Sequence, residues 1–320
     1  MAVEIQAASA LHKLKRKIPY SWDLNIYRGC SHGCRYCYAL YSHQYVGSSS
    51  KRNCEAAAEK AEQPGAKAPA RSLMEAAVSA APGGGFFSDI YVKTNIAELL
   101  EKELSEGNWK REVINIGGVT DSYQPAEEHY RLMPEILKLL IKYKTPAIIS
   151  TKSDLILRDY DLIDRLSRIT YINVASTITT MDENLRTVIE PGSASSAKRF
   201  AMLKEFRKTN ASIGLHVMPI LPFLTDGEDN FDRLFSAAAD GAVHYVLPGV
   251  LYLRGKTRPY YFNFLESHFP ELTGQYRALY KKGGADKTYK NSLYEIVNRL
   301  RDSYNLSSSY MKPMREKLKT

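Results

Sequence analysis

From residue 88 to residue 250 the chain alternates short apolar runs with amphipathic helical stretches, and this alternation constrains its fold more than any other feature. Residues 88–93 (SDIYVK), 112–118 (EVINIGG), 146–153 (PAIISTKS), 171–179 (YINVASTIT), 212–220 (SIGLHVMPI) and 242–249 (AVHYVLPG) read as strands. Helical spacing of apolar residues predicts helices over 95–104, 126–143 (one long helix after Pro125), 158–169, 182–189, 197–207 and 229–240. Continuous apolar strands of this length are the kind buried on both faces of a parallel sheet. The series therefore specifies an α/β fold, either a doubly wound sheet or a barrel. In both, ligands gather at the C-terminal ends of the strands.

Around this body the composition changes. Residues 21–29 (SWDLNIYRG) read as a short strand entering a glycine turn. Residues 46–85 are rich in Ala, Ser, Gly and Lys and nearly free of large apolar side chains, so they read as a low-complexity surface insertion, with Cys54 inside it. After Val250 the chain turns aromatic and basic (RPYYFNFLESHFPELTGQYRALYKK), which reads as a helical cap. The expected organisation is a basic N-terminal arm (1–20), a main α/β unit (21–250) and a C-terminal extension (251–320). The net charge of +9 sits at the ends: residues 251–320 hold 14 Lys+Arg against 6 Asp+Glu. Such a basic end is an electrostatic footprint for nucleic acid. No apolar run approaches the ~20 residues of a membrane span, and the first residues lack a signal peptide's apolar core. The expectation is a cytoplasmic protein with no membrane partner.

Four cysteines in 320 residues are too few for a disulfide scaffold, and Cys30, Cys34 and Cys37 fall together in RGCSHGCRYCY. Such clustering points to metal or redox chemistry. Gly29 and Gly33 bend the backbone so that three thiolates can converge on one inorganic core. Three thiolates bind three irons of a 4Fe–4S cubane and leave the fourth open, where the amino and carboxylate groups of S-adenosylmethionine (SAM) can chelate. Tyr36, just before the third cysteine, is placed to pack on the cluster or on the adenine. Zinc is the competing ligand. It takes four donors, and here the fourth would come from His32, His43 or Cys54. A redox-sensing pair at Cys34 and Cys37 is a further reading.

Six stretches then occur in order, each at a strand end or the turn after it: NIYRGCSHGCRYCYA (25–39), IGGVTDSYQPAE (116–127), STKSDLILRD (150–159), STITTMD (176–182), IEPGSASSAKR (189–199) and VMPILP (217–222). In these the chain resembles the radical SAM proteins of the spore photoproduct lyase-like family, also known as DNA repair photolyase-like. The resemblance implies a partial (β/α)6 TIM-type barrel of the radical SAM type with a C-terminal helical cap. It implies a 4Fe–4S cluster on Cys30, Cys34 and Cys37, SAM as cofactor, and an electron donor such as flavodoxin or ferredoxin. The implied activity is reductive SAM cleavage and hydrogen abstraction, lyase- or oxidoreductase-type, with damaged DNA as the family precedent for substrate. It also sets Thr120, Lys152 and Thr177 against SAM, and matches Tyr36 and Tyr38 to tyrosines that relay hydrogen. One departure stands out: the lyase has a hydrogen-returning cysteine two residues before the position of Thr120, where this chain has Gly118.

The residues themselves add Gly117 and Gly118, where backbone can approach a ligand, Asp121 as a catalytic group in the same mouth, and Arg199 as a second partner for a carboxylate. Each has a structural alternative: a tight turn, a solvated lysine, a capping aspartate, aromatic packing. His216 and His244 read as core or barrel-lining residues and His129 as surface. No Walker loop, GxSxG elbow or HExxH motif is present. The competing function is a non-catalytic iron–sulfur or zinc nucleic-acid-binding protein, although a structural metal would have no need of the SAM-side motifs.

Overall fold

The computed structural model describes residues 2–15, 20–45 and 85–318. Its strands are β1 (Ala2–Ile5), β2 (Leu11–Lys13), β3 (Trp22–Leu24), β4 (Tyr27–Arg28), β5 (Ile90–Lys93), β6 (Ile114–Ile116), β7 (Ala147–Thr151), β8 (Ile172–Thr177), β9 (Ser212–Ile220) and β10 (Tyr245–Val250). Seven of them form one sheet in the order β10-β9-β8-β7-β6-β3-β2. From β3 to β10 every neighbouring pair is parallel, and β2 alone runs antiparallel at the edge. Helices Ile96–Ser105, Leu132–Lys142, Tyr160–Ile169, Ser196–Phe206 and Glu228–Asp240 lie in the crossovers between parallel strands. All six residues of β8 are buried, the pattern expected of a strand covered on both faces. Consecutive parallel crossovers bring the strand C-termini to one end of the sheet.

The strand read over 88–93 belongs elsewhere. As β5 it is the centre of a separate three-stranded sheet, β1-β5-β4. The edge of the large sheet beyond β3 is taken by β2, so β5 pairs with β1 in parallel and with β4 antiparallel. The stretch read as a basic arm thus supplies one strand to each sheet. The insertion read at 46–85, with Cys54, lies outside the described residues up to residue 84.

The long helix read over 126–143 is two helices, Ala126–Tyr130 and Leu132–Lys142, broken at Arg131 with φ +49°. Pro134 is the cause, because it has no N–H for the carbonyl four residues back and its ring crowds that carbonyl. Glu127 then closes the new helix start, accepting from Leu132 N–H at 3.0 Å and Met133 N–H at 2.9 Å.

The C-terminal extension is not one cap. Helices Thr257–His268 and Thr273–Leu279 pack Tyr261, Tyr276 and Leu279 into an apolar cluster that includes Cys34 and Tyr36. Helix Lys287–Ser303 instead lies on Glu228–Asp240, with Arg299 paired to Glu228 at 2.6 Å. Helix Met311–Leu318 sets Met314 against Val113, Ile148 and Tyr171, at the opposite end of the strands.

Candidate active site

The cysteine loop leaves β4 at Gly29, whose φ is +80° and where an added Cβ would lie 2.6 Å from Asp89 O, so only glycine fits. Cys30 N–H donates to Phe86 O at 3.0 Å. Fully buried Gln124 spans Cys30: Ser31 N–H donates to its Oε1 at 3.0 Å, and its Nε2 donates to Gly29 O at 3.2 Å. Thr120 Oγ1 donates to the same Gly29 O at 2.6 Å. On the other flank His32 is held between Asp121, at 3.1 Å, and Gly192 O, at 2.8 Å. Gly192 N–H and Arg35 N–H return bonds to His32 O and Ile189 O, both at 2.9 Å. The loop is thereby fastened to the segment after β6 on one side and to the EPG turn on the other. The three thiols, all free, line one cavity of about 620 Å³.

Tyr36, Tyr38, Gly117, Gly118, Thr120, Asp121, Lys152 and Thr177 line the same cavity. Every described position read as a cluster, cofactor or catalytic residue is brought there except Arg199. That residue shares the buried face of helix Ser196–Phe206 with Met202 and Leu203. Its guanidinium meets Glu190 at 2.8 Å and Thr177 O at 2.5 Å, so the carboxylate it serves is the protein's own.

Asp121 is also not a free base. Its carboxylate accepts from Thr151 Oγ1 at 2.8 Å, Lys152 N–H at 2.8 Å and Tyr123 N–H at 2.9 Å, besides its contact with His32. Burial raises its carboxyl, but His32 and the backbone donors win and hold it at about 2. Asp121 therefore ties the cysteine loop to the ends of β6 and β7.

A side chain at Gly118 would meet Asp23. An added Cβ there would lie 2.7 Å from Asp23 Oδ2, and Asn115 Nδ2 holds Asp23 from the other side at 2.8 Å. Asp23 fills the space that a cysteine side chain would need. Tyr38, exposed at the rim, donates its hydroxyl to Gly118 O.

Burial pushes all three thiols up, Cys34 to about 12 against the opposing pull of Lys152. Burial likewise works against the charge on Lys152, yet Cys34, Glu190 and Asp121 hold it above the usual lysine range. Its Nζ lies 5.7 Å from the centre of the Tyr36 ring. Behind it, buried Glu190 accepts from the Tyr36 hydroxyl, and its carboxyl, raised by burial, is brought below the usual range by Arg199 and Lys152. Among the described residues lining the cavity, Lys152 is the one lysine or arginine, and the charges of Cys34, Glu190 and Asp121 favour its ammonium.

Gln124 and Glu190 are site positions that sequence reasoning misses, and His32, read there only as a possible zinc ligand, instead holds the cysteine loop through Asp121 and Gly192 O. Each lies inside a motif quoted above, which is the only local signal for them; Gln124 finds its partner 93 residues away and His32 160 away. Of the other histidines, His216 lines the cavity, His244 accepts from Ile213 N–H at 2.8 Å, and His129 is exposed.

No family model matches the chain. Over 311 residues it is 33% identical to Uncharacterized protein Rv2578c of Mycobacterium tuberculosis, covering 96% of this chain and 82% of that protein. It belongs to that protein's family. Uncharacterized protein MJ0683 of Methanocaldococcus jannaschii is 27% identical over 297 residues, covering 89% of this chain and 88% of that one. Among solved structures, spore photoproduct lyase complexed with dinucleoside spore photoproduct has a TM-score of 0.62 at 14% identity, covering 95% of this chain and 79% of that one. A substituted form of that lyase with bound AdoMet and dinucleoside spore photoproduct also gives 0.62, at 13% identity, over 94% of this chain and 78% of that one. At such identities the likeness is one of fold, a mixed α/β fold with a parallel sheet. Among the described residues no helix is long and apolar enough to cross a membrane.

Proposed function

We propose that the chain is a radical SAM enzyme that carries a 4Fe–4S cluster on Cys30, Cys34 and Cys37, in a partial (β/α)6 barrel. The observation that carries this reading is that, among the described residues, three free thiols and the ammonium-bearing Lys152 line a single cavity beside the strand ends. The donor set suits a cluster better than a single ion. Zinc takes four donors, and His32, the nearest candidate for a fourth, has both ring nitrogens turned to Asp121 and Gly192 O. A cubane takes one thiolate per iron, which three thiols lining one cavity can supply.

When bound, the cluster and SAM supply reductive cleavage of a sulfonium bond and a 5′-deoxyadenosyl radical for hydrogen abstraction. The chain's own residues bind and orient. Lys152 offers its ammonium to the carboxylate of SAM, and Thr177 offers a hydroxyl beside it. Thr120 is already engaged with Gly29 O and accepts from Gln124 Nε2 at 3.1 Å, so it serves the loop more than the cofactor. Phe86, Met218, Val250 and Leu251 give the cavity apolar walls that exclude water. Tyr38, at the cavity rim with its hydroxyl on Gly118 O, is the proposed hydrogen relay. The neutral buried thiols must lose their protons on loading.

The proposed substrate class is nucleic acid, with a flavodoxin- or ferredoxin-like electron donor in the cytoplasm. Tyr252 lines the cavity, is 53% exposed and pairs with Gly284. That pairing gathers exposed Arg254, Lys256, Lys281 and Lys282 beside the cavity mouth, where they suit phosphates.

The test is the EPR spectrum of anaerobically reconstituted, dithionite-reduced protein with and without SAM, next to Cys34→Ala. A 4Fe–4S signal that shifts with SAM and is lost in the variant is expected. A colourless zinc protein, or a cluster blind to SAM, would overturn the reading.

A further inference from the structure

His216 lies midway along β9 and lines the cavity. A chain of hydrogen bonds runs from it away from the cavity. Asn173 Nδ2 donates to Ser212 O at 3.2 Å, which turns Oδ1 toward Tyr245. Tyr245 O–H donates to that Oδ1 at 2.9 Å, and its oxygen lies 3.3 Å from His216 Nε2. A tyrosine has one proton to donate, and Asn173 takes it. Tyr245 can only accept from His216, so Nε2 carries the hydrogen and Nδ1 the lone pair. The Tyr245 ring is buried against Tyr310, which keeps the chain in place. Burial and the charge of Lys152 push the His216 imidazole down to about 4, so it is neutral at physiological pH. Among the described residues Nδ1 has no hydrogen-bond partner.

Its place on the sheet indicates what Nδ1 meets. Thr177 and His216 are register partners on β8 and β9. Thr151, next to Lys152, is the partner of Ser176, next to Thr177. Lys152, Thr177 and His216 therefore stand in a row across three strands, roughly 10 Å from end to end at ~4.8 Å per strand. In SAM, the group that lies beyond the methionine chain and its sulfonium is a ribose with two hydroxyls. With the carboxylate on Lys152, those hydroxyls fall at the far end of the row.

We propose that His216 Nδ1 accepts a hydrogen bond from a ribose hydroxyl of SAM. The inference rests on the radical SAM reading and adds a contact within it. A neutral lone-pair nitrogen recognises a donor and rejects a second carboxylate, so the row from Lys152 to His216 also sets the direction in which the cofactor lies.

The experiment titrates SAM into anaerobically reconstituted wild type, His216→Phe and His216→Asn, and follows ¹⁵N-histidine resonances in the wild type. Loss of one neutral hydrogen bond should weaken SAM binding about five- to tenfold in His216→Phe. His216→Asn, whose Oδ1 falls near the place of Nδ1, should keep most of the affinity. SAM made with 2′-deoxy- or 3′-deoxyribose should show the same loss in the wild type for one of the two, and none further in His216→Phe. The wild-type Nδ1 resonance should start as a lone-pair nitrogen and move upfield with SAM. Equal affinity of wild type and His216→Phe, or an Nδ1 signal unmoved by saturating SAM, overturns the inference. A reconstituted wild type that binds no SAM overturns the radical SAM reading with it. Should His216→Phe fail to fold, the deoxyribose analogues and the wild-type resonance still decide.

Discussion

Gln124 holds Cys30 by the backbone on either side rather than by its thiol: Ser31 N–H reaches Oε1 at 3.0 Å and Nε2 reaches Gly29 O at 3.2 Å. A buried amide that answers a peptide chain in both directions fixes where the thiol points without touching it. Gln124→Leu keeps the volume but takes the acceptor from Ser31 N–H and leaves Gly29 O with Thr120 alone, an expected loss of about 1–3 kcal/mol in urea unfolding. Iron and sulfide per reconstituted chain should fall with it, and Gln124→Glu, which keeps only the acceptor, should lie between. Wild-type iron content in Gln124→Leu would remove this role.

Restoring a thiol at the lyase's position should fail for a steric reason. Gly118→Cys drives its Cβ toward Asp23 Oδ2, and such overpacking costs about 1–3 kcal/mol. Combined with Asp23→Ala it should be less destabilised than the two single changes added together, a coupling that thermal melts of all four proteins would measure. Strict additivity would show that Asp23 is not the obstacle.

The pair Arg199–Glu190 is fully buried on both sides. Arg199→Met strands a carboxylate in the interior, an expected loss of about 3–5 kcal/mol. Adding Glu190→Gln should recover part of it, because no carboxylate is then left without its guanidinium partner. Urea midpoints decide, and a double variant as weak as Arg199→Met would contradict the account.

His216 gives stability a defined acid limb. Its folded pKa, about 4, lies below the unfolded value of 6.5. Between these the unfolded chain binds a proton that the native state refuses, so stability falls as pH drops from 6.5 to 4. His216→Asn removes that titration. Its unfolding free energy should change less over the window than that of the wild type, measured in urea at pH 7, 5.5 and 4.

If phosphates dock on Arg254, Lys256, Lys281 and Lys282, duplex DNA affinity should fall steeply with salt. Replacing all four by serine should reduce the slope of log K against log salt by ~3–4. Fluorescence anisotropy over a salt series checks this; an unchanged slope would place the contacts elsewhere.

Much of the fold is legible in the chain because period and burial agree. Residues 212–220 coincide with β9, a strand long and apolar enough to have no rival reading. SDIYVK has the same local character, yet its sheet is decided by β1, whose residues precede it by nearly ninety positions. Pro134 is plain in the sequence, but the amphipathic period runs through it and masks the break. At the site, strand-end motifs bring the thiols, Lys152 and Thr177 to one cavity. What they leave out is pairing: no local pattern says that Arg199 turns to Glu190, that Asp121 is filled by donors, or that Asp23 occupies the space beside Gly118.

The fastening of the cysteine loop also orders events during synthesis. Cys30, Cys34 and Cys37 leave the ribosome long before Gln124, and longer still before Gly192. Until those partners exist, nothing holds the three thiols apart at their spacing around the cavity. A nascent chain therefore offers only loose thiols, open to any passing metal, whereas the finished domain offers a site of one size. On the cluster reading, delivery to the completed protein is the selective route, and a chain stalled before residue 192 should bind metals without selectivity.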